Sequence, residues 1–492
     1  MKTYFLALDQ GTTSSTALLL DSQKFTVVAQ ASHEHPQFYP TPSWVEHDLE
    51  AIWSSLMKSI SLVLKKAKIK GHQIDAIGIT NQRETTCAFD YEGNPISKAI
   101  VWQDRRTTPE CQRLLKNKAM AKMISSKTGL PIDPYFSATK MNWLLKKFRG
   151  EYLLGTVDSF LLYRLTGGKV FATDATNASR TLLYNLKTAD WDNELLKIFK
   201  VPESRLPEVR DSFSFFGHTG KIPFLPEGIP ITCILGDQQA ALFGQGCIHE
   251  GEMKCTYGTG SFAIMNTGEK IIKSQHGLLS TVAYRYKDQS TYALEGSCFI
   301  AGAAVQWLRD NLKLIAHSSE TEELARQIKD PKLLSELFFL PFFSGLGSPY
   351  WRPEAKAAIC GMTRDTSAPE LTHACLEGIG FSVNDLLLSM QKDAHHRIKE
   401  LKVDGGAVKN NLLMQLQASI SQTKVLRPQV IETTAFGAGL GAAVGLGALE
   451  LNHVSKLWKK ENTFLPDKKL SLFYKVKKTK WDELIQKLYL SK

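Results

Sequence analysis

Twice in this chain an apolar strand runs into a short glycine-bearing polar turn and comes back as a second strand: residues 4–8, 9–15 and 16–20, and again 253–257, 258–260 and 262–265. Two such units imply two lobes, each presenting a polar hairpin to one shared ligand, with a boundary near residue 250. A Walker phosphate loop is excluded, because it needs GxxxxGK[ST] running into a helix and no such match occurs. At 492 residues and 54.9 kDa, and about 100 to 200 residues per domain, the chain has room for two or three domains.

Between the hairpins, helical and strand patterns alternate. Residues 48–68 carry apolar positions at helical spacing (Ile52, Trp53, Leu56, Ile60, Val63, Leu64), and 74–80 follows as a buried strand. Residues 25–30 read as a third N-terminal strand. Residues 229–235 form a strand, 236–238 a turn, and 239–243 the opening of a short helix. Ser367 with Glu370 three positions later, and Pro369 in the first turn, spell a capping box ahead of a long helix. Residues 401–403 form a strand that leads through Asp404-Gly405-Gly406 into a helix at 410–421. The reading is α/β from end to end.

Composition narrows the class. Hydrophobic residues are 43% and charged residues 22%, close to soluble globular averages, which excludes a disordered chain. The net charge of +11 is largely a C-terminal feature: the last 40 residues hold 11 Lys against Glu461, Asp467, Asp482 and Glu483. Lys456, Lys459, Lys460 and Lys487 alternate with Leu457, Trp458, Trp481, Leu484 and Leu488, as on amphipathic helices with a solvated Lys face; no nucleic-acid partner is expected. Eight cysteines without a CxxC pair read as buried thiols of a reducing compartment, hence a cytoplasmic location. The apolar run 4–8 is too short for a signal-peptide core. The uncharged tract 433–449 is short and glycine-rich for a membrane span, and its Gly437, Gly441 and Gly445 fit a soluble helix packed closely on a neighbour.

Four segments could carry chemistry. Asp9-Gln10-Gly11-Thr12-Thr13-Ser14-Ser15 joins a carboxylate to a glycine turn and four hydroxyls, a nest for phosphates with an Asp able to hold hydrated Mg²⁺; an ordinary polar turn uses the same residues. Gly258-Thr259-Gly260 and Asp404-Gly405-Gly406 allow backbone to approach a nucleotide without a Cβ in the way. Arg83 and Glu84 offer a donor fork and an acceptor to a polyol, or a surface ion pair, and Trp102 offers a flat wall, or a core residue. Asp237 is a general base or simply a helix cap.

Together these segments resemble the FGGY carbohydrate kinases, and within that family the branch that acts on glycerol. The likeness runs through LALDQGTTSS at 6–15, WVEHD at 44–48, GITNQRETT at 78–86, DPYFSATK at 133–140, TNASRTLLYN at 176–185, LGDQQAALFGQ at 235–245, TYGTGSF at 256–262, LEGSCFIAGAAVQWLRD at 294–310, GLGSPYW at 345–351 and VDGGAVKNN at 403–411. It implies two ribonuclease H-like lobes of the actin, hexokinase and Hsp70 type around a central cleft. Residues 1–250 would bind glycerol and phosphate, and 251–492 the nucleotide. It implies ATP-dependent phosphorylation of glycerol to sn-glycerol 3-phosphate, the first step of glycerol catabolism, with ATP and Mg²⁺ as cofactors and a homodimer or homotetramer as the assembly.

The resemblance also assigns residues. Arg83, Glu84, Tyr135, Asp237 and Gln238 match the positions that hold the glycerol hydroxyls, and Trp102 and Phe262 the walls against its carbons. Asp237 matches the general base and Asp9 the carboxylate that positions Mg²⁺. Thr12, Thr13 and Ser14 match the phosphate loop, Thr259, Gly302 and Gln306 the second-lobe nucleotide contacts, and Gly406 and Asn410 the adenosine end. Three departures stand out. Thr16 replaces an Arg common beside the phosphate loop, residues 217–223 are shorter than a loop that binds fructose 1,6-bisphosphate in some bacterial members, and Arg352 stands where Asp is common. The alternatives are a sibling kinase of another polyol or a pentulose, and, more remotely, a non-catalytic nucleotide switch resembling actin or Hsp70.

Overall fold

The structure, a computed structural model, describes residues 2–328 and 330–491. The first hairpin nucleates a six-stranded sheet in which Tyr4–Gln10, Ser14–Asp21 and Val27–Glu34 run antiparallel to one another. Ile74–Asn81 and then Pro230–Gly236 add in parallel beside Tyr4–Gln10, and Gly217–His218 closes that edge antiparallel. The second hairpin repeats the plan. Met253–Tyr257, Ser261–Gly268 and Gln289–Cys298 are antiparallel, Glu400–Asp404 and Lys424–Pro428 add in parallel, and Lys460–Phe464 closes antiparallel. Among the described residues Leu279–Tyr286 adds on the far edge, which makes seven strands. One strand order used twice is the duplicated, two-lobed α/β architecture that the hairpins imply.

Local sequence explains the elements. Helix Leu49–Ala67 starts where Asp48 accepts the backbone N–H groups of Glu50 and Ala51, and stops at the left-handed Lys68. It buries Ile52, Leu56, Ile60 and Val63 on the first sheet. The Ser367–Glu370 capping box opens the 27-residue helix Ala368–Ala394, whose inner face fills the core of the second lobe. Residues 37–38, 46–47, 86–89, 99–100 and 153–156 build a small five-stranded sheet. With the helices Thr108–Leu115, Lys118–Thr128 and Ser137–Lys147 it forms a subdomain over one side of the cleft.

The lobes are joined by two helices, Asp237–Gly244 and Thr433–Gly445, each following the corresponding parallel strand of its own sheet. They pack on one another and reach across: Thr433–Gly445 lies on strands of the first sheet, and Asp237–Gly244 touches strands of the second. Such contact needs near-naked backbone. A Cβ on Gly437 would sit 1.9 Å from the Ala240 carbonyl oxygen, and one on Gly78 would sit 2.1 Å from that of Ala438. The glycine spacing in 437–445 therefore serves helix packing within the protein. Among the described residues no helix is long and apolar enough to cross a membrane.

Some details differ from the sequence reading. The third strand begins at Val27 because Phe25 adopts a left-handed backbone (φ 52°). No turn separates strand from helix at 236–238; Asp237 is already the first helical residue. The basic C-terminal stretch is not helical throughout. Lys456 is in the short helix Val454–Leu457 and Lys460 opens an edge strand, while only Lys468–Ile485 forms a long helix, with Trp481 in the core. Seven of the cysteines are buried, Cys360 is half-buried, and all eight are free.

Gly437→Val should force the crossing helices apart. Urea unfolding is expected to show a loss of about 1–3 kcal/mol, the usual cost of overpacking a filled core, with an unchanged slope against denaturant.

Candidate active site

Parallel strands gather their C-terminal ends, the place where open α/β sheets bind ligands. In the first sheet Gln10 is level with Asn81, and Asn81 with Gly236. The phosphate-type hairpin 9–15, the Gln82-Arg83-Glu84 segment and Asp237 therefore emerge side by side. In the second sheet Thr256 is level with Asp404, which sets the Gly258–Gly260 and Asp404–Gly406 turns together. The two groups face the same cleft.

Charge dominates the first group. Arg83 and Glu84 are both buried, so they are not a surface ion pair. Arg83 grips Glu295 with both terminal nitrogens, Nη1 to Oε2 at 2.5 Å and Nη2 to Oε1 at 2.9 Å, and Nη1 also reaches Gln239 Oε1 at 3.2 Å. Its Nε lies 3.0 Å from Asp237 Oδ1. Arg180, fully buried, donates Nε to Glu84 at 2.6 Å and Nη2 to Glu295 at 3.1 Å. Glu84 has a left-handed backbone (φ 59°), costly for a non-glycine residue, held by that bond and by Ser137 Oγ on its carbonyl. Burial pushes the Glu84 carboxyl up against the pull of Arg180 and Arg83. Glu295, which burial alone would also raise, is held down at about 2 by Arg180 and Arg83.

Asp237 does not cap its helix through its side chain; it occupies the first turn and accepts the Gln238 backbone N–H at 2.7 Å. Its side chain is 31% exposed toward the cleft, open to a ligand as a base must be. Gln238 is turned toward the second lobe, where its Oε1 accepts from the buried Lys254 at 2.5 Å. Desolvation pushes the Lys254 amine down.

Aromatic rings wall the same place. Trp102 stands edge-on to Tyr135 at 5.5 Å and to Phe262 of the second lobe at 6.5 Å. Its indole N–H donates to Thr12 Oγ1 at 3.0 Å, tying the wall to the phosphate-type hairpin. Thr13 is exposed, Ser14 is half-buried, and Thr16 pairs with Ser32 on the outer strand. Behind the turn, Gln82 Nε2 and Gln10 Nε2 both donate to the Gly11 carbonyl, at 3.2 and 2.7 Å. Gln82 Nε2 also donates to His47 Nδ1 at 3.2 Å, and Gln10 Nε2 to His35 Nε2 at 3.1 Å.

In the second lobe the Gly258 and Thr259 carbonyls accept the backbone N–H groups of Gly302, Ala301 and Ala303, which clamps helix Gly302–Asp310 onto the turn and groups Thr259 with Gly302 and the exposed Gln306. Asn410 caps helix Asn411–Ser421 through Leu413 N–H, and Gly406 lies exposed beside it with open space where a Cβ would stand. Burial first, and then the charges of Asp237 and Glu432, push the Asp9 carboxyl up to about 8. Among the described residues no cluster of three metal-ligating side chains is assembled.

The structure thus brings Arg83, Glu84, Tyr135, Trp102, Phe262, Asp237 and Thr12 around one recess, and places Thr259, Gly302, Gln306, Gly406 and Asn410 on the adjoining strand ends. Sequence reasoning passed over Arg180, Glu295, Lys254 and the two histidines. For Arg180 and Glu295 the one local signal is a charge inside an otherwise uncharged stretch, 175–185 and the strand Gln289–Cys298; Lys254 and the histidines, with Glu or Asp close by in sequence, have none. Nothing in the structure explains Arg352.

Comparison with known proteins agrees with this geometry. Residues 4–244 match the N-terminal domain of the FGGY family of carbohydrate kinases, and residues 253–446 its C-terminal domain. A glycerol kinase of Bdellovibrio bacteriovorus is 50% identical over 475 residues, 94% of this chain and 95% of that protein. The crystal structure of a Plasmodium falciparum glycerol kinase with ADP superimposes with a TM-score of 0.89 at 35% identity, covering 99% of this chain and 98% of that one. A gluconate kinase of Lactobacillus acidophilus, 23% identical, shares the fold with a TM-score of 0.89 over 100% and 99% of the two chains. The two lobes and the charged recess between them define a sugar-kinase architecture. The chain belongs to the FGGY family of carbohydrate kinases.

His47 yields a pH test. Burial first and His35 second push its imidazole down to about 3 from 6.5, and a proton on Nδ1 would confront the Gln82 amide. The unfolded chain therefore binds more protons between these values, so the stability is complete above about pH 6.5 and is lost as pH falls. The difference in unfolding free energy between wild type and His47→Gln should change by roughly 1 kcal/mol from pH 6.5 to pH 5.5, the wild type losing stability relative to the variant as pH falls.

Proposed function

We propose that this chain transfers the γ-phosphoryl group of ATP to glycerol, giving sn-glycerol 3-phosphate. The observation that carries the reading is the convergence of Arg83 on Asp237 at 3.0 Å inside a wall formed by Trp102, Tyr135 and Phe262. A small triol needs both donors and acceptors for its hydroxyls and apolar faces for its carbons. Arg83, Glu84 and Tyr135 supply the first, with Gln238 contributing the amide that Lys254 leaves free, and the rings supply the second. A substrate lacking a hydroxyl would leave buried groups unpaired.

Asp237 is the general base: its partly exposed carboxylate accepts the proton of the attacking terminal hydroxyl as Arg83 holds that carboxylate in place. Thr12, Thr13 and Ser14 orient the β and γ phosphates, with Trp102 fixing Thr12. Thr259, Gly302 and Gln306 hold the nucleotide from the second lobe, and Gly406 and Asn410 flank adenosine. In this division residues 1–250 serve glycerol and phosphate, and 251–492 serve the nucleotide. Asp9, a carboxylate at the end of strand Tyr4–Gln10 beside the phosphate-type turn, would hold hydrated Mg²⁺, an ion that keeps several waters and needs only one or two carboxylates. When bound, the ion neutralises phosphate charge. Closure of the lobes over both ligands would exclude water and limit ATP hydrolysis. The reading extends to a cytoplasmic enzyme, supported by its free and mostly buried thiols, assembled as a homodimer or homotetramer, as the family leads one to expect.

Purified protein with ATP, Mg²⁺ and glycerol should form glycerol 3-phosphate and ADP. Asp237→Asn should lower kcat by at least about 10²-fold, the low end for loss of a general base. ADP formation at the wild-type rate by this variant would refute the role, and faster turnover of xylulose or erythritol at matched concentration would reassign the substrate.

A further inference from the structure

Arg83 and Glu84 are the groups read above as recognising hydroxyls, yet neither holds its own position. Glu84 sits on strained backbone and is steadied by Arg180, and Arg83 spends both terminal nitrogens on Glu295. Glu295 also receives the second hand of Arg180. Its two oxygens thus take three N–H groups from two arginines of the first lobe, although it belongs to the second. It lies in the strand Gln289–Cys298 with paired strands on both sides, its backbone registered with Ile264 and Leu279, and its side chain is 1% exposed. Without it Arg83 would keep only Asp237, and Arg180 only Glu84, as ionic partners among the described residues for two buried guanidinium groups. The same strand runs on toward Gly302, the first residue of the helix assigned to the nucleotide.

We propose that Glu295 is the positioning residue of the glycerol pocket: through Arg83 directly, and through Arg180 to Glu84, one carboxylate of the second lobe sets both hydroxyl-recognising side chains of the first. The pocket is therefore complete only with the lobes in register, and its precision is referenced to the strand that leads to the nucleotide side. Glu295 touches neither the reacting atoms nor, in this arrangement, the substrate; it acts through the arginines. This inference rests on the glycerol kinase reading.

Glu295→Asp keeps the charge but withdraws the carboxylate by one methylene, so that it cannot span both arginines; Glu295→Gln keeps the shape and removes the charge. Steady-state kinetics, with circular dichroism to establish that each variant is folded at the assay temperature, give the test. Glu295→Asp should raise KM for glycerol by at least about tenfold, the size expected for a lost charge-assisted hydrogen bond, lower kcat as well because Arg83 also steadies Asp237, and leave KM for ATP within about twofold. Glu295→Gln should raise KM for glycerol at least as much. A glycerol KM within twofold of wild type in both variants overturns the inference, as does a parallel loss in glycerol KM, ATP KM and thermal stability, which marks a merely structural role. If Glu295→Gln does not fold, Glu295→Asp decides alone. Wild-type protein that makes no glycerol 3-phosphate would instead overturn the underlying reading.

Discussion

Moving a guanidinium or a carboxylate out of water costs several kcal/mol per ion, and this molecule does so four times in one network. Arg83, Arg180, Glu84 and Glu295 are all at most 3% exposed. They persist because every charge meets an opposite one with hydrogen-bond geometry. The result is a recess whose donors and acceptors are set before a ligand arrives, so less ordering remains for the moment of binding. The surrounding structure follows: a strained Glu84 backbone is tolerable where Arg180 and Ser137 fix it, and Asp237 can stay partly exposed because Arg83 shares its charge.

The network would be idle if the lobes were free to drift apart, since Arg83, Glu84 and Arg180 belong to the first and Glu295 to the second. Their joint is made of backbone in near contact. Gly437 against Ala240 and Gly78 against Ala438 bring helix onto helix and helix onto strand with no side chain between. One hydrophobic cluster runs without a break from Phe5, Ala7 and Leu20 of the first sheet, through Ala240 and Phe243, to Ile264 and Ala293 of the second. Small residues at this seam and charges beside it divide the work: the seam determines how the lobes meet, and the ions depend on that meeting.

Much of this was legible in the chain, for a local reason. Strand, turn and helix signals are short-range, so both hairpins, the Asp48 and Ser367 starts and the close-packing glycines could be read from neighbours in sequence. Arg83, Glu84 and Asp237 stood out because each follows an apolar strand. Arg180 and Glu295 did not, since their meaning lies in partners 96, 115 and 212 residues distant. Alternative readings fell for tertiary reasons: Arg83–Glu84 is no surface pair because both are buried and paired elsewhere, Arg83 with Glu295 and Glu84 with Arg180, and Asp237 caps nothing because Gly236 precedes it as the cap. The edge strand Lys460–Phe464 was missed because it is polar on both faces, which leaves no alternation to see.

The crossing of the two joint helices bears on how the gene can be cut. Helix Thr433–Gly445 is encoded in the second half yet covers Ala7, Leu20, Gly78 and Cys233 of the first sheet, while Gln239, from the first half, bonds to Val282 of the second. Scission near residue 250 would strip each fragment of a piece of its own interior. The duplicated halves are thus twins in plan but no longer severable, and neither would be a self-sufficient folding unit if expressed apart.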